Sequence, residues 1–149
     1  MVLELEYDRS LLGKEHQAGP FEVTEELVRS FCSAIGETNP LYTDKDAARK
    51  AGYQSVLAPP TLCPIFIRGE SIPDIKLKFG KLRFHAGQMV KPLAPILAGD
   101  TLMASSHLKE VYPKTGRSGT MVFIVWETTF TNQRGDKVAE VQESYATRE

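Results

Sequence analysis

The sequence predicts an α+β fold, with helices in its first half and an antiparallel sheet in its second. Two observations support this fold class. Apolar residues recur at helical spacing in the first half, whereas from Gly80 onward they alternate with polar residues or form short continuous runs, as strands do. The length of 149 residues, of which 42% are hydrophobic and 25% charged, fits a single domain that spans residues 1–149.

The first predicted helix extends from Thr24 to about Ile35, after a short strand or turn at residues 20–23. Thr24 is a favourable N-cap, and the acidic pair that follows it suits the positive end of the helix dipole. Gly36 is expected to end the helix. One stripe of the helix is apolar and is expected to face a core, at Leu27, Val28, Phe31, Ala34 and Ile35.

Two shorter helices are predicted next. Asp44 is placed to cap a helix that continues to Ala51 and is closed by Gly52, which leaves residues 37–43 as the connection between the first two helices. The paired prolines at 59–60 mark the start of a third helix, since proline is tolerated in a first helical turn. This helix is expected to be buried because it is apolar on most sides, at Leu62, Ile65, Phe66 and Ile67.

The second half is predicted to form four strands, over residues 81–91, 99–112 and 120–131 and from the turn at 132–137 to about Thr147. Residues 121–126, with the sequence Met-Val-Phe-Ile-Val-Trp, are typical of a central strand that is covered on both faces. A flexible hairpin connection is expected at residues 114–119. Together these elements form an antiparallel meander around one buried helix.

The charge and the cysteine content argue against several kinds of partner and site. The formal net charge is −1 and no long run carries one sign, so neither nucleic acid nor a membrane surface is expected as a partner. The two cysteines, Cys32 and Cys63, lack the spacing of a disulfide framework or a zinc site and are expected to stay reduced. Acidic residues at the start, within residues 1–6, and the shortness of the apolar runs predict no signal peptide, no transmembrane helix and a cytoplasmic location.

Residues 36–42, Gly-Glu-Thr-Asn-Pro-Leu-Tyr, resemble the Gly-Asp-x-Asn-Pro-aliphatic-His signature of MaoC-like dehydratases, also called (R)-specific enoyl-CoA hydratases. In that family the Asp and the His together add or remove water across the α,β bond of an acyl thioester. Here Glu37 occupies the Asp position and Tyr42 the His position. Asn39 and Pro40 are a turn-forming pair, and the resemblance implies that this turn directs Glu37 and Tyr42 into one pocket.

The resemblance covers nearly the whole chain and implies the hot-dog fold, in which a long antiparallel sheet curls around a central helix. Residues 44–53 are similar to the family's Ala-rich helix, residues 56–62 to the start of its central helix, and residues 85–102 to two of its strands. Residues 58–61, Ala-Pro-Pro-Thr, are typical of the N-terminal, or fatty-acid-synthase-type, dehydratase branch. Such domains often supply the acyl-binding tunnel in a double hot dog or a heterodimer, while the partner carries the Asp and the His.

The two substituted motif positions keep only part of the chemistry that the family uses. Glu37 retains a carboxylate, which can act as a general base, or can instead lie exposed to solvent at the end of the helix or bond backbone amides of the following turn. A phenol titrates near ~10 and an imidazole near ~6.5, so Tyr42 can donate a hydrogen bond but does not shuttle protons near neutral pH. Alternatively, the ring of Tyr42 packs beside the connection, with its hydroxyl at the surface.

Four further residues are candidates for binding the substrate: Asn39, Pro60, Thr61 and His85. Asn39 holds the motif turn. Pro60 aligns with a glycine whose backbone N–H binds the substrate carbonyl in catalytic relatives, and proline lacks that donor. Thr61 or Leu62 can offer an N–H in its place. His85 either lines an acyl tunnel or contacts the pantetheine arm of CoA or a carrier protein, or it is a structural strand residue.

These features predict the substrate-binding subunit of an acyl-thioester hydratase or dehydratase, which interconverts 2-enoyl and (R)-3-hydroxyacyl thioesters. The expected partners are an acyl-CoA or acyl-carrier-protein thioester and a second hot-dog chain, in a heterodimer or, alternatively, a homodimer. CoA or pantetheine is then part of the substrate, and no metal or other cofactor is expected. Three alternatives remain open: a self-sufficient homodimeric hydratase that uses Glu37 as its base, a hot-dog thioesterase, and a non-catalytic acyl-thioester-binding module.

Overall fold

Two helices of the chain, α1 and α4, pack against an antiparallel sheet. In the computed structural model, which describes residues 3–68 and 72–149, the helices are α1 (Glu25–Ile35), α2 (Pro40–Thr43), α3 (Lys45–Lys50) and α4 (Cys63–Arg68). The strands are β1 (His16–Glu22), β2 (Leu57–Ala58), β3 (Leu82–Pro92), β4 (Ile96–Leu97), β5 (Thr101–Gly116), β6 (Gly119–Thr131) and β7 (Lys137–Arg148). Short 3₁₀ helices at Arg9–Leu11 and Pro60–Leu62 precede β1 and α4.

The main sheet has five strands in the order β1-β5-β6-β7-β3, and its neighbouring strands are antiparallel. The short strands β2 and β4 pair separately. Strands β1 and β3 are therefore the two edges of the main sheet. The predicted α+β class and antiparallel sheet are confirmed, although β1 adds an edge strand that is longer than the short strand or turn expected at residues 20–23.

Local capping signals are confirmed at α1 and α3. The side chain of Thr24 accepts the backbone N–H of Leu27 at 3.0 Å, as expected of an N-cap. Gly36 ends α1 with a φ of 72°, in the left-handed region that glycine tolerates best. Asp44 caps α3 by accepting the N–H of Asp46 at 2.9 Å. Each cap depends on residues no more than four positions apart, so the sequence alone predicts it.

The helical region differs from the prediction in three places. The connection at residues 37–43 contains a short helix, α2, because Asn39 caps a turn that begins at Pro40. Helix α3 ends at Lys50, and Ala51 is its C-cap rather than a helical residue. The apolar stripe of α1 ends before Ile35, because the core contacts come from earlier residues of the helix and Ile35 itself is exposed.

The third predicted helix is a 3₁₀ turn followed by α4, and it is buried on one face only. Leu62, Cys63 and Ile67 are buried in the same core cluster as residues of the sheet. Ile65 lies on the other face and is 37% exposed, so the expectation of burial on most sides is wrong there. Phe66 is partly covered by Phe21 of β1, with the two rings stacked at 5.2 Å.

The core consists of two clusters along the face of the sheet that meets the helices. The larger cluster joins α1 and α4 to β5, β6 and β7, with Phe130 of β6 fully buried in it. The smaller cluster surrounds Trp126, Leu108 and Ile124. Residues 121–126 of β6 were expected to be covered on both faces, and this is only partly so, because Phe123 is half-buried and is covered by Tyr112 of β5 at a ring distance of 5.2 Å.

The hairpin between β5 and β6 lies where it was predicted, but the connection is shorter than residues 114–119. Thr115 and Thr120 face each other across the ladder with their hydroxyl oxygens 2.9 Å apart, which leaves only the residues between Gly116 and Gly119 as a loop. Cys32 and Cys63 are buried free thiols. The described part of the chain contains no helix with the length and hydropathy needed to cross a membrane. The signal-peptide expectation rests partly on Met1 and Val2, which lie outside the described residues.

Candidate functional site

A depression of about 450 Å³ opens at the surface between α1, the connection to α2 and the start of α3. The two substituted motif positions, Glu37 and Tyr42, both line it. Its rim carries charges of both signs, including Arg29 and an ion pair in which Lys45 Nζ lies 2.7 Å from Glu25 Oε1. The hydrogen bond from Lys45 lowers the pKa of Glu25, so the carboxylate of Glu25 stays charged near neutral pH.

The carboxylate of Glu37 is bonded to the turn that follows it. Its Oε1 accepts the backbone N–H of Thr38 at 3.1 Å and that of Asn39 at 3.0 Å. The side chain is half-buried and lies near Cys32, whose pKa is raised by burial and further by the negative charge of Glu37. Glu37 therefore bonds the local backbone through one oxygen, which is one of the roles that the sequence left open for it, and its role as a general base stays a prediction.

Tyr42 and Asn39 are also tied into the turn. Tyr42 is half-buried and packs against the larger core cluster, while its N–H donates to the carbonyl of Asn39 at 3.0 Å. The Oδ1 of Asn39 accepts the N–H of Leu41 at 3.0 Å and caps α2. These contacts account for the shape of the turn that brings Glu37 and Tyr42 to one depression, and the role of Asn39 in substrate binding stays a prediction.

The start of α4 lies apart from this depression, since neither Pro60 nor Thr61 lines it. The N–H of Leu62 donates to the carbonyl of Pro59 at 2.9 Å, so Leu62 does not offer the free donor that the sequence allowed. Thr61 is exposed and remains the candidate donor. Because prolines occupy positions 59–60 and have no N–H, this turn has fewer backbone donors than an ordinary helix start.

His85 lies on the edge strand β3, and it too is separate from the depression. Its side chain is 46% exposed, and its Nε2 lies 3.4 Å from Oε2 of Glu143 on β7. Its ring meets that of Tyr145 edge-on, with 5.4 Å between the ring centroids. The structure therefore places the predicted residues in three positions: the depression, the start of α4 and the β3 edge.

Comparison with known proteins identifies the family. A family model described as the FAS1-like dehydratase domain region matches residues 10–141. The chain belongs to this dehydratase family. A UPF0336 protein from Streptomyces coelicolor is 34% identical to the chain over 114 residues, which cover 73% of this chain and 76% of that protein.

Solved structures confirm the hot-dog fold and the resemblance to MaoC-like dehydratases. One protein named MaoC-like dehydratase superimposes with a TM-score of 0.77 at 25% identity, covering 93% of this chain and 42% of its own length. The chain therefore spans about two fifths of that protein. The HadBC (3R-hydroxyacyl-ACP dehydratase) complex of Mycobacterium tuberculosis superimposes with a TM-score of 0.73 at 23% identity, covering 93% of this chain and 98% of that one, which shows the same fold.

Among the described residues of this FAS1-like dehydratase-family chain, Glu143 lies near a predicted site residue, His85, and was missed by sequence reasoning. It is a glutamate in the apolar phase of the last strand, two positions from Val141 and two from Tyr145, and it is only 7% exposed. That phase is the signal that the sequence offers, whereas the contacts of Glu143 with β3 depend on the register between β3 and β7. Among the described residues, no group of three or more His, Cys, Asp or Glu side chains is arranged to hold a metal ion.

Proposed function

We propose that this chain is the acyl-thioester-binding subunit of a hydratase or dehydratase whose catalytic Asp and His come from a hot-dog partner chain. The assembly interconverts a 2-enoyl thioester and an (R)-3-hydroxyacyl thioester. The thioester is carried by CoA or by the pantetheine of a carrier protein, and the reaction uses no metal or redox cofactor. Membership of the dehydratase family supports the reaction class, and the contacts of Glu37 support the division of labour.

The observation that carries the proposal is a pair of hydrogen bonds, in which Oε1 of Glu37 accepts the backbone N–H groups of Thr38 and Asn39. Hydration requires a group that takes a proton from water and a group that delivers one to the substrate carbon, each in reach of the reacting atoms. Glu37 is engaged with its own turn, and Tyr42 carries a phenol, which is a poor proton acceptor near neutral pH. The motif of this chain therefore keeps the turn without its proton-transfer pair.

The start of α4 supports the same division of labour between this chain and its partner. In acyl-transfer chemistry a backbone N–H that points at the carbonyl oxygen stabilises the charge that develops there. Positions 59 and 60 cannot supply it because both are proline, and the N–H of Leu62 is already bonded to Pro59. Thr61 remains the candidate carbonyl donor of this chain, and the partner chain provides the Asp and the His.

The surface of β3 supports the pairing with a second chain. This 11-residue strand pairs with β7 along one edge, and it exposes large apolar side chains on the face away from the helices: Leu82 and Met89, each 51% exposed, and Phe84, 38% exposed. A long edge strand with exposed apolar side chains is a template for pairing with another strand. We infer that a second hot-dog chain pairs along β3, as a heterodimer in the working enzyme.

The test compares the chain alone with the chain co-purified with a hot-dog protein that has an intact Asp-x-Asn-Pro-x-His motif. With crotonyl-CoA as substrate, we expect loss of the enoyl absorbance only in the mixture, and we expect butyryl-CoA to raise the melting temperature of the chain alone. Turnover by the chain alone that Glu37→Gln abolishes and the exposed-surface control Glu26→Gln retains would establish a self-sufficient hydratase instead. Release of free CoA from butyryl-CoA would establish a thioesterase.

A further inference from the structure

The outer face of the sheet, which points away from the helices, carries a row of aromatic side chains. Val122 and Ile124 of β6 are buried on the helix side, so Phe123 between them faces outward. Phe123 lies opposite Tyr112 of β5, and the two rings stack at 5.2 Å. In the other direction the row continues through β7 to Phe84 of β3. Tyr112 and Phe84 are 37% and 38% exposed, so the row presents apolar area to solvent.

The rows directly before and after this aromatic row form a symmetrical pattern. On β5, Glu110 precedes Tyr112 by two residues and Lys114 follows it by two, so the three side chains share the outer face. Their opposite neighbours on β6 are Val125 beside Glu110 and Met121 beside Lys114. Glu110 and Lys114 are exposed, and no ion pair among the described residues includes either of them. An anion thus borders the aromatic row on one side and a cation on the other.

This pattern is self-complementary under one two-fold rotation. An axis that runs across the strands, along the aromatic row, lays that row on its own copy and reverses the direction of every strand. Residues on one face of a strand repeat about every 7 Å, so Glu110 and Lys114 lie at equal distances from this axis. Lys114 of each copy then faces Glu110 of the other, and Met121 faces Val125. Two ion pairs and the apolar contacts between them form together.

A two-fold axis parallel to the strands does not give this match. Lys114 would then face its own row, whose other members are Met121, Arg148 and Leu82 and which contains no anion. Two sheets packed face to face keep their strand directions within about 30° of each other, and the axis across the strands allows this because it leaves the strands antiparallel. The charges therefore select the axis across the strands.

A second copy of this chain is the occupant that this symmetry fits, because a two-fold interface uses the same patch on both subunits. Four strands about 4.8 Å apart and three rows about 7 Å apart give a contact of about 400 Å² on each copy. The two copies together then bury about 800 Å², which is below the roughly 1,200 Å² of a stable complex. The association is therefore expected to be weak and to depend on concentration.

We propose that the outer face of the sheet packs back to back on the same face of a second copy of this chain, about a two-fold axis that runs across the strands. This contact uses side chains, so it leaves the unpaired backbone groups of β3 free for the hot-dog partner. The depression that contains Glu37 and Tyr42 lies among the helices, away from the outer face, and stays open. The proposal holds whatever thioester the protein binds.

The test is a charge-reversal mixing experiment on the full chain. Lys114→Glu and Glu110→Lys each place like charges opposite one another in both contacts, so each variant alone is expected to have a dissociation constant at least about tenfold higher than the wild type. In an equal mixture of the two variants both ion pairs form again, with reversed sign in one of them. The mixed pair is expected to associate within about threefold of the wild-type affinity. Sedimentation equilibrium measures each protein alone, and energy transfer between differently labelled variants measures the mixed pair.

Two further variants separate this contact from other effects. Lys50→Glu reverses an exposed charge on α3, away from the outer face, and is expected to leave the dissociation constant unchanged. Tyr112→Glu places two carboxylates on the proposed axis and is expected to weaken self-association at least about tenfold, although residues 110 and 114 are unchanged. All of these variants leave β3 intact, so pairing along that edge contributes equally to each measurement.

Wild-type self-association by Lys114→Glu or Glu110→Lys overturns the proposal. A mixture that associates no better than either variant alone also overturns it, because the two-fold geometry requires the rescue. A wild-type chain that stays monomeric at about millimolar concentration excludes the second copy as the occupant of this face. Circular dichroism of each variant checks that a loss of association does not come from unfolding.

Discussion

The apolar outer face of β3 gives a quantitative prediction about association. Leu82 and Met89 are each 51% exposed and Phe84 is 38% exposed, so roughly half of each side chain is still available for burial. Full burial of such a side chain contributes about 1.5–3 kcal/mol, and the three exposed portions together are thus expected to contribute about 3 kcal/mol to pairing. At about 1.4 kcal/mol per tenfold, the triple variant Leu82→Thr, Phe84→Thr and Met89→Thr should raise the dissociation constant about a hundredfold.

Threonine is chosen for this variant because it keeps the β-propensity of the strand while removing most of the apolar area. Sedimentation equilibrium of the chain alone measures association with a second copy, and titration with a labelled hot-dog chain that carries the intact motif measures association with a partner. Met103→Thr on β5, an exposed methionine away from the β3 edge, is the matched control and should leave both constants unchanged. A triple variant that folds and associates with wild-type affinity in both assays refutes the assignment of β3 as the interface.

Three further predictions concern the stability and reactivity of the chain. Thr24→Ala removes the bond to the N–H of Leu27 and is expected to destabilise the protein by about 1 kcal/mol in chemical denaturation, whereas Thr24→Ser should recover most of it. Phe130→Ala empties a fully buried position and is expected to cost about 3–5 kcal/mol in the same measurement, so a loss below 1 kcal/mol contradicts the assigned core. Burial raises the pKa of Cys63 to about 12, so its thiol stays protonated at pH 8 and alkylation by iodoacetamide should require unfolding. Rapid labelling of Cys63 in the folded protein would contradict that burial.

Short-range features of the fold were predictable from the sequence, and long-range ones were not. The caps at Thr24 and Asp44 and the glycine at the end of α1 depend on neighbours within one helical turn. The extent of β1 could not be predicted in this way, since Gly19 and Pro20 read as a break in a strand. In the structure they lie within an irregularity between Ala18 and Phe21, and pairing with β5 continues on both sides of it.

The same distinction between short-range and long-range features applies to the candidate site residues. The sequence allows bonds from Glu37 to the following backbone amides, because those amides are its neighbours along the chain. The contact between Gln88 and Glu143 joins residues that lie 55 positions apart, and it depends on the register between β3 and β7. A shift of one residue in that register would turn Gln88 to the opposite face of the sheet. No pattern within either strand fixes this register, so the network around His85 required the structure.

The two carboxylates near the candidate sites differ in what their surroundings demand. Glu37 accepts backbone N–H groups through a single oxygen, a task that a neutral amide oxygen can also perform, so Glu37→Gln should preserve the turn. Glu143 receives a donor at each oxygen, from Gln88 at Oε1 and from Tyr145 at Oε2, and an amide nitrogen placed there would meet a donor rather than an acceptor. The position of Glu143 therefore calls for a charged acceptor even though an apolar residue would pack there at lower cost.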